Sequence, residues 1–281
     1  MPKIFKKMNS NKNSSRGRQG ENNKSFQGKK KKEYKKIKTQ PKANPEDGIR
    51  LNKYISNSGV CSRREADTYI ASGNVVVNGK VVTEMGFKVK PGDEVRFDGT
   101  SISPEEKRYI LLNKPKNYIT TMDDERGRKT VMDLIAGAAN ERVYPVGRLD
   151  RNTTGLLLFT NDGDLAKKLT HPKHNVQKLY HASLDKKFEV KDLHKLRDEV
   201  IIEGRKVFID EADYVVGERK TEVGIRIHSG RNRIVRKIFE HFGYKVVKLD
   251  RVIFAGLTKK NLPRGRYREL TKQELINLHM I

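Results

Sequence analysis

Residues 146–160 read Val-Gly-Arg-Leu-Asp-Arg-Asn-Thr-Thr-Gly-Leu-Leu-Leu-Phe-Thr. The apolar run Leu156–Phe159 predicts a strand that is buried on both faces. The polar residues before this run predict a short loop in which the carboxylate of Asp150 follows Arg148 by two positions. A loop held by a rigid strand is a common place for a reactive group, whereas an isolated loop aspartate often only caps a turn. The rest of the chain favours the first interpretation.

The composition indicates a polyanionic partner. The chain has 281 residues, of which 60 are Lys or Arg and 35 are Asp or Glu, so its formal net charge is +25. Its pI is about 10.0 and its mean hydropathy is −0.78. Because no apolar run approaches the length of a bilayer span, the sequence argues against a membrane protein. The single cysteine, Cys61, excludes an intrachain disulfide, and we expect a cytoplasmic protein.

Residues 1–47 carry a large part of this charge. They contain 15 Lys or Arg against 4 Asp or Glu, and they are rich in Asn, Ser, Gly and Gln. Too few apolar side chains are present to offset the entropy of ordering, so the composition predicts a disordered basic tail. Such a tail can attract phosphates in a salt-dependent way, or it can simply keep the chain in solution. The composition fits both roles equally well.

A small module is predicted over residues 48–105. Apolar residues recur at helical spacing from Leu51 to Ile55, and Ser62 with Glu65 three residues later predicts the capping box of a second helix. Asn78-Gly79 lies between two β-branched runs, which predicts a two-residue hairpin before a strand that ends at Phe97. The polar stretch 98–106 is interpreted as a linker.

This module resembles the S-four-type RNA-binding domain, named after a ribosomal protein. The matching motifs are Arg50-Leu51-Asn52-Lys53-Tyr54, Ser58-Gly59-Val60-Cys61-Ser62-Arg63-Arg64-Glu65-Ala66, Gly73-Asn74-Val75 and Val77-Asn78-Gly79. The resemblance implies that Lys53, Arg63 and Arg64 contact RNA phosphates, since guanidinium groups match phosphate oxygens well. Taken singly, each of these residues is also typical of a solvated helix face.

Residues 106–281 predict a larger α+β domain, because strands alternate with few helices. The predicted strands are Tyr109–Leu112, Leu156–Phe159, Lys178–Ala182, Val207–Ile209, Tyr214–Val216 and Gly224–His228, and the predicted helices are Asp164–Leu169, Val190–Val200 and one that follows the basic loop Ser229–Asn232 and ends at Gly243.

Separated motifs of this domain occur in a specific order. They are Gly147-Arg148-Leu149-Asp150 with Thr153, Gly155 and Leu156; Lys178-Leu179-Tyr180; and Gly230-Arg231-Asn232-Arg233-Ile234-Val235-Arg236, with Asn113-Lys114-Pro115 and Leu262-Pro263-Arg264-Gly265 as further landmarks. Each motif alone is weak, but together they resemble the RsuA-like pseudouridine synthases of ribosomal RNA, in the large-subunit branch. The resemblance covers about residues 49–270 and leaves the basic tail outside.

The resemblance implies a mixed, largely antiparallel bisected sheet and assigns a catalytic role to three residues. Asp150 is the catalytic carboxylate, which either attacks C1′ of the ribose or removes a proton from C2′. Arg236 pairs with that carboxylate, and Tyr180 stacks on the target uracil. A solvated basic face for Arg236 and a core position for Tyr180 are the structural alternatives. The isomerisation involves no oxidation, so neither a metal nor a cofactor is expected.

Three further arginines are implied to contact RNA. A uridine stacked in RNA must leave its helix to reach a side chain, and Arg148 lies where the family places an arginine that fills the vacated gap. A structural salt bridge is the alternative role for Arg148. Arg231 and Arg233 are expected to line the RNA path as backbone contacts.

The sequence and its resemblance therefore predict a cytoplasmic, monomeric pseudouridine synthase whose partner is ribosomal RNA or a ribosomal assembly intermediate, and the resemblance implies the large subunit. Two alternatives remain: a noncatalytic RNA-binding assembly factor, and a transfer-RNA synthase of the same family. The combination of Arg148, Asp150, Tyr180 and Arg236 argues against the assembly factor, since a module that only binds RNA has no need for an acid facing phosphates.

Overall fold

The computed structural model of the protein describes residues 48–197 and 200–281, and the predicted basic tail lies outside them. The first domain contains two helices and six strands: β1 (Ile49–Arg50), α1 (Leu51–Asn57), α2 (Arg63–Ala71), β2 (Val75–Val77), β3 (Lys80–Val81), β4 (Lys88–Val89), β5 (Val95–Phe97) and β6 (Thr100–Ile102). Strands β3, β2, β5 and β6 form one antiparallel sheet in that order. The helices bury their apolar faces together with residues of this sheet in one core.

Local signals in this domain are confirmed. The Ser62 hydroxyl accepts a hydrogen bond from the backbone N–H of Glu65, whose carboxylate in turn accepts from the backbone N–H of Ser62, as a capping box requires. Asn78 and Gly79 both have positive φ, and they join β2 to β3 as the predicted two-residue hairpin. Cys61 is buried, and this burial raises the pKa of its thiol.

The predicted linker 98–106 is wrong in part. Strand β6 lies inside it and pairs with β5 through the register Val95 to Ile102. Asp98 and Gly99 both adopt positive φ and form the turn between the two strands. The short polar strand Thr-Ser-Ile looks like a linker because its side chains remain mostly exposed at the edge of the sheet.

The second domain is built from the remaining elements. They are β7 (Tyr109–Lys114), β8 (Tyr144–Pro145), β9 (Thr153–Thr160), α3 (Gly163–Thr170), β10 (Lys178–Leu184), α4 (Val190–Arg197), β11 (Val200–Ile202), β12 (Arg205–Val207), β13 (Ile209–Tyr214), β14 (Glu222–Ile227), α5 (Ile234–His241), β15 (Val246–Phe254), β16 (Leu257–Thr258), β17 (Tyr267–Glu269) and α6 (Lys272–Met280). None of the described helices is both long enough and apolar enough to cross a bilayer.

A nine-stranded sheet organises this domain. Its main path runs β13-β14-β10-β15-β9-β7-β17, with β16 on β15 and β8 on β9. The pair β9–β15 is parallel, and the other pairs described in this sheet are antiparallel. Only three residue pairs connect β9 to β15, so the sheet consists of two antiparallel halves with a short junction. The predicted α+β class and mixed, largely antiparallel sheet are confirmed.

The apolar run Leu156–Phe159 forms the centre of β9 and is fully buried, as predicted. Leu157 and Phe159 belong to the core on one side of the sheet, and Leu156 and Leu158 belong to the core on the other side. This two-sided burial explains why the run lacks the alternation of polar and apolar residues seen in half-exposed strands.

Several boundaries after residue 190 differ from the prediction. Helix α4 ends at Arg197, and Val200 already belongs to β11, which turns into β12 through Glu203 and Gly204 at positive φ. Exposed Phe208 separates β12 from β13, so the predicted strands at 207–209 and 214–216 are both misplaced. Strand β13 is an edge strand that carries acidic residues, which the hydrophobic pattern does not reveal.

Candidate active site

The loop that carries Asp150 precedes β9 and is held by a buried lysine. The carbonyl oxygen of Asp150 accepts hydrogen bonds from the backbone N–H of Thr153 at 3.0 Å and from Nζ of Lys114 at 3.1 Å. Lys114 also donates to the carbonyl oxygens of Thr153 at 2.9 Å and Arg151 at 3.4 Å. Burial lowers the pKa of Lys114 to about 8, while the negative charge of Asp150 opposes this shift. The ammonium group therefore determines the backbone path of the loop.

A second contact fixes the residue before the acid. The hydroxyl of Thr120 donates to the carbonyl of Leu149 at 2.8 Å and accepts from the N–H of the same residue at 3.2 Å. Sequence reasoning missed the roles of Thr120 and Lys114. The available signal for Lys114 was a lysine at the end of an apolar strand, where β7 in fact extends two residues beyond the prediction.

Two guanidinium groups approach the carboxylate of Asp150, whose side chain is 33% exposed. Nε of Arg236 and Nη1 of Arg233 each lie 3.9 Å from Oδ2 of Asp150. Arg236 is buried in α5, where its Nη1 donates to the carbonyl of Val246 at 2.7 Å. Burial and the nearby charge of Arg233 lower the pKa of Arg236, and the charge of Asp150 opposes them. The structure thus brings two of the predicted residues next to the acid rather than one.

Asp150 and Tyr180 line the same cleft, which has a volume of about 160 Å³. Tyr180 lies on β10 and is buried, and the exposed Arg148 forms part of the rim. Arg231 lines the cleft as well, and its Nη2 donates to the carbonyl of Ile202 at 3.0 Å. The structure therefore gathers an acid, a phenol and guanidinium groups from these residues, which are up to 83 positions apart in sequence.

A second depression continues the cleft toward the segment 119–128. Its volume is about 590 Å³, and it shares with the cleft the loop residues 147–150 together with Gly230, Arg231 and Arg233. A groove that leads from an open surface to a carboxylate fits a polymeric substrate of which one unit enters the cleft.

Comparisons with known proteins identify the domains. The model of the RNA pseudouridylate synthase family matches residues 108–241, and that of the S4 domain matches residues 49–95. Ribosomal large subunit pseudouridine synthase B of Bacillus subtilis is 42% identical over 235 residues, which are 83% of this chain and 96% of the relative. The chain belongs to the RNA pseudouridylate synthase family.

Further similarities agree with this membership. The dual-specificity RNA pseudouridine synthase RluF of Escherichia coli strain K12 is 39% identical over 237 residues, which cover 83% of this chain and 79% of the relative. A crystal structure of a pseudouridylate synthase aligns with a TM-score of 0.58 at 28% identity, and the alignment covers 82% of this chain and 100% of that one. The predicted family, its RNA-binding S4 domain and its isomerase class are confirmed.

In this pseudouridylate synthase, the three residues of the S4 domain that were predicted to contact RNA differ in their exposure and in their hydrogen-bond partners. Arg63 and Arg64 are exposed on α2, and Nη2 of Arg63 donates to the side chain of Asn52 at 3.3 Å. Lys53 instead forms an ion pair at 2.8 Å with Asp164 of the larger domain. Arg63 and Arg64 are thus accessible to a phosphate. Lys53 can bind a phosphate only after it leaves the carboxylate of Asp164.

Proposed function

We propose that this chain converts one uridine of large-subunit ribosomal RNA into pseudouridine in the cytoplasm. The observation that carries the proposal is the half-exposed carboxylate of Asp150, which faces Arg233 and Arg236 at the entrance of a cleft that also contains Tyr180. The names of two similar enzymes support RNA uridine isomerisation, one of them on the large ribosomal subunit. Every group of the proposed site comes from one chain, so a monomer suffices.

The proposed reaction begins with an everted uridine whose ribose faces Asp150. The guanidinium groups of Arg233 and Arg236 lie beside this carboxylate, each 3.9 Å from Oδ2. The carboxylate attacks C1′ or removes the C2′ proton, and the C1′–N1 bond breaks with its electron pair remaining on the uracil. The base turns while stacked on Tyr180. C5 then bonds to C1′ as the bond between Asp150 and C1′ breaks, or, in the second route, as the abstracted proton returns to C2′. A proton leaves C5 and N1 gains one, so the reaction is a net isomerisation.

The cations around the cleft are proposed to hold the RNA backbone. Arg148 on the rim fills the gap left by the everted base, and Arg231 and Arg233 contact neighbouring phosphates. Arg63 and Arg64 of the S4 domain bind a part of the RNA that is farther from the target nucleotide. Such contacts set the position of the substrate, while the cleft selects the nucleotide that reacts.

The first prediction concerns the carboxylate. We expect Asp150→Asn to abolish pseudouridine formation, because the amide keeps the size of the side chain but carries no negative charge. Ribosomal RNA from cells that lack this protein is incubated with the purified variant, and pseudouridine is mapped by nucleotide. Glu218→Gln, which removes an exposed carboxylate of the same domain outside the cleft, serves as the matched control and retains activity. Wild-type conversion by Asp150→Asn contradicts the assignment of this acid.

The RNA class is tested separately. Tritium release from RNA labelled at C5 of uridine is measured with large-subunit, small-subunit and transfer RNA. We expect release from the large-subunit RNA. Release from transfer RNA alone contradicts the proposed substrate, and no release from any of the three favours a noncatalytic RNA-binding protein.

A further inference from the structure

Buried donors without partners converge on the cleft. Among the described residues, four buried side-chain atoms lack a hydrogen-bond partner: Thr153 Oγ1, Arg231 Nη1, Arg236 Nε and Arg251 Nη2. Three of these residues line the cleft, and the fourth is Arg236, which faces Asp150. Since buried polar groups in native proteins are nearly always satisfied, this concentration indicates a site that is completed by acceptor atoms of a ligand.

Two cations lie deepest in this site, on the neighbouring strands β10 and β15. Lys178 is 9% exposed and Arg251 is 3% exposed, and both line the cleft beside Tyr180, which pairs with Arg251 across the strands. We call Lys178 and Arg251 the floor pair. Within the described part of the chain, no carboxylate comes within 4.0 Å of either cation. Burial and the charge of Arg251 lower the pKa of Lys178 to about 8, and the more distant negative charge of Asp210 opposes them.

The hydrogen bonds of the floor pair leave donors for a ligand. Nζ of Lys178 donates to the carbonyl oxygens of Val176 and His228, both at 2.9 Å, and an ammonium group has a third N–H. Nε of Arg251 donates to the carbonyl of Leu156 at 2.8 Å, while its Nη2 has no partner. Each cation is therefore held in place by backbone carbonyls and keeps at least one donor unused.

The surroundings of the floor pair suit a planar base better than a phosphate. Arg251 lies over the ring of Phe254, with 4.5 Å between Cζ and the ring centroid, and Leu169 and Leu249 also line the cleft. A backbone phosphate is charged and costly to bury, so the exposed rim near Arg148 suits it better. A planar base can enter an apolar cleft and present carbonyl oxygens to buried donors.

We propose that Lys178 and Arg251 form the anion site for the uracil that has left C1′. This inference rests on the proposed function and assigns residues to the leaving group rather than to the ribose. When the C1′–N1 bond breaks, its electron pair spreads over N1, O2 and O4 of the uracil. The unused N–H groups of the floor pair donate to these oxygens and lower the energy of the anion. The anion then uses C5 to form the new bond to C1′, while N1 gains a proton and C5 loses one.

A binding experiment tests the anion site without turnover. The probes are 5-nitrouracil, which is ionised at neutral pH, and uracil, which is neutral. We expect the wild type to prefer 5-nitrouracil, and Lys178→Met to reduce that preference about tenfold, as loss of a charge-assisted hydrogen bond predicts. Lys178→Arg, which keeps the charge, and Lys248→Met, which removes an exposed lysine of β15, both retain the preference. No preference in the wild type, or an unchanged preference in Lys178→Met, overturns the inference.

A kinetic experiment separates stabilisation of the anion from a structural role. Single-turnover consumption of the target nucleotide is compared between RNA with uridine and RNA with 5-fluorouridine, whose fluorine stabilises the departing anion. We expect Lys178→Met to slow the uridine substrate roughly 100-fold, as for the loss of a donor to developing negative charge. The fluorinated substrate is slowed much less. Equal slowing of both substrates indicates a structural lysine and contradicts the proposal.

The two experiments distinguish the failure of each proposal. If the wild type leaves ribosomal RNA unmodified but the floor pair still confers the preference for 5-nitrouracil, the proposed substrate is wrong and the anion site stands. If ribosomal RNA is modified and Lys178→Met matches the wild type with both substrates, the proposed function stands and the anion site is wrong.

Discussion

At the scale of single residues, the position of Asp150 depends on the charge of Lys114. This lysine is completely buried, and its Nζ donates to several backbone carbonyls, including those of Asp150 and Thr153. A buried cation is stable only where acceptors replace the water it has lost. The same hydrogen bonds restrict the backbone of the loop. The burial of Lys114 therefore also fixes the position of Asp150.

We predict that Lys114→Met destabilises the protein by about 3 kcal/mol and lowers pseudouridine formation. The methionine fills a similar volume, but the buried carbonyl oxygens lose their donor, at about 1–3 kcal/mol for each group left unsatisfied. Urea unfolding and single-turnover rates measure the two effects. Lys116→Met, two residues away at an exposed position, is the control and remains close to wild type. A wild-type unfolding midpoint and rate for Lys114→Met would show that the loop does not need the ammonium group.

The residues of the site were predictable to different degrees. Asp150, Tyr180 and Arg236 stand in motifs whose order identifies the family, and the structure gathers Asp150 and Tyr180 in one cleft with Arg236 beside the acid. The approach of Arg233 to the same carboxylate and the hydrogen bonds of Lys114 were not predictable, because they join segments far apart in sequence. The type of a residue indicates its chemistry, but only the fold determines which other side chains it contacts.

At the scale of elements, the two halves of the sheet meet where β9 runs beside β15. Gly155 permits this approach, since a Cβ built on it would lie 2.2 Å from the carbonyl oxygen and 2.5 Å from the nitrogen of Arg251. Its φ of +108° is also a conformation that other residues rarely adopt. The glycine thus sets the separation between Asp150, on the loop before β9, and the floor pair on β10 and β15.

We predict that Gly155→Ala separates β9 from β15 and destabilises the protein by more than about 3 kcal/mol, because both close contacts are to backbone atoms that cannot rotate away. Gly204→Ala, in the turn between β11 and β12, has a positive φ but no atom within 4 Å of the added Cβ. This control isolates the conformational effect, for which we expect about 1 kcal/mol. Thermal unfolding of the two variants compares them, and equal losses of stability would contradict a steric role for Gly155.

The strands that the sequence pattern did not reveal all contain polar residues. Strand β15 contains Asp250 and Arg251 in its centre, so the chain looks polar although Arg251 is buried and Asp250 is only partly exposed. Strands β6 and β13 lie at sheet edges and keep polar side chains in solvent. By contrast, β9 and α5 were predictable, because burial of their apolar residues leaves a continuous run or a helical stripe.

At the scale of the whole molecule, specific contacts join the S4 domain to the catalytic domain. Lys53 pairs with Asp164, the N–H of Glu105 donates to the carbonyl of Asn57 at 2.8 Å, and a carboxylate oxygen of Glu105 accepts from the N–H of Arg142 at 3.2 Å. These contacts connect α1 to α3 and, through Glu105, to the segment before β8. We expect basic residues on both domains to bind one RNA molecule at separate points.

We predict that removal of residues 1–47 weakens RNA binding and makes it less dependent on salt. The segment contributes 15 Lys or Arg and 4 Asp or Glu, and each cation that displaces a counterion from single-stranded RNA adds about 0.7 to the slope of log affinity against log salt. The modified nucleotide stays the same, because the residues that line the cleft all lie between 146 and 254. Fluorescence anisotropy over a series of KCl concentrations measures the slope. A full-length chain with serine at Lys29–Lys32, Lys35 and Lys36 matches the length of the wild type, and we expect an intermediate slope from it. A slope that is unchanged by the deletion would mean that this segment only keeps the protein in solution.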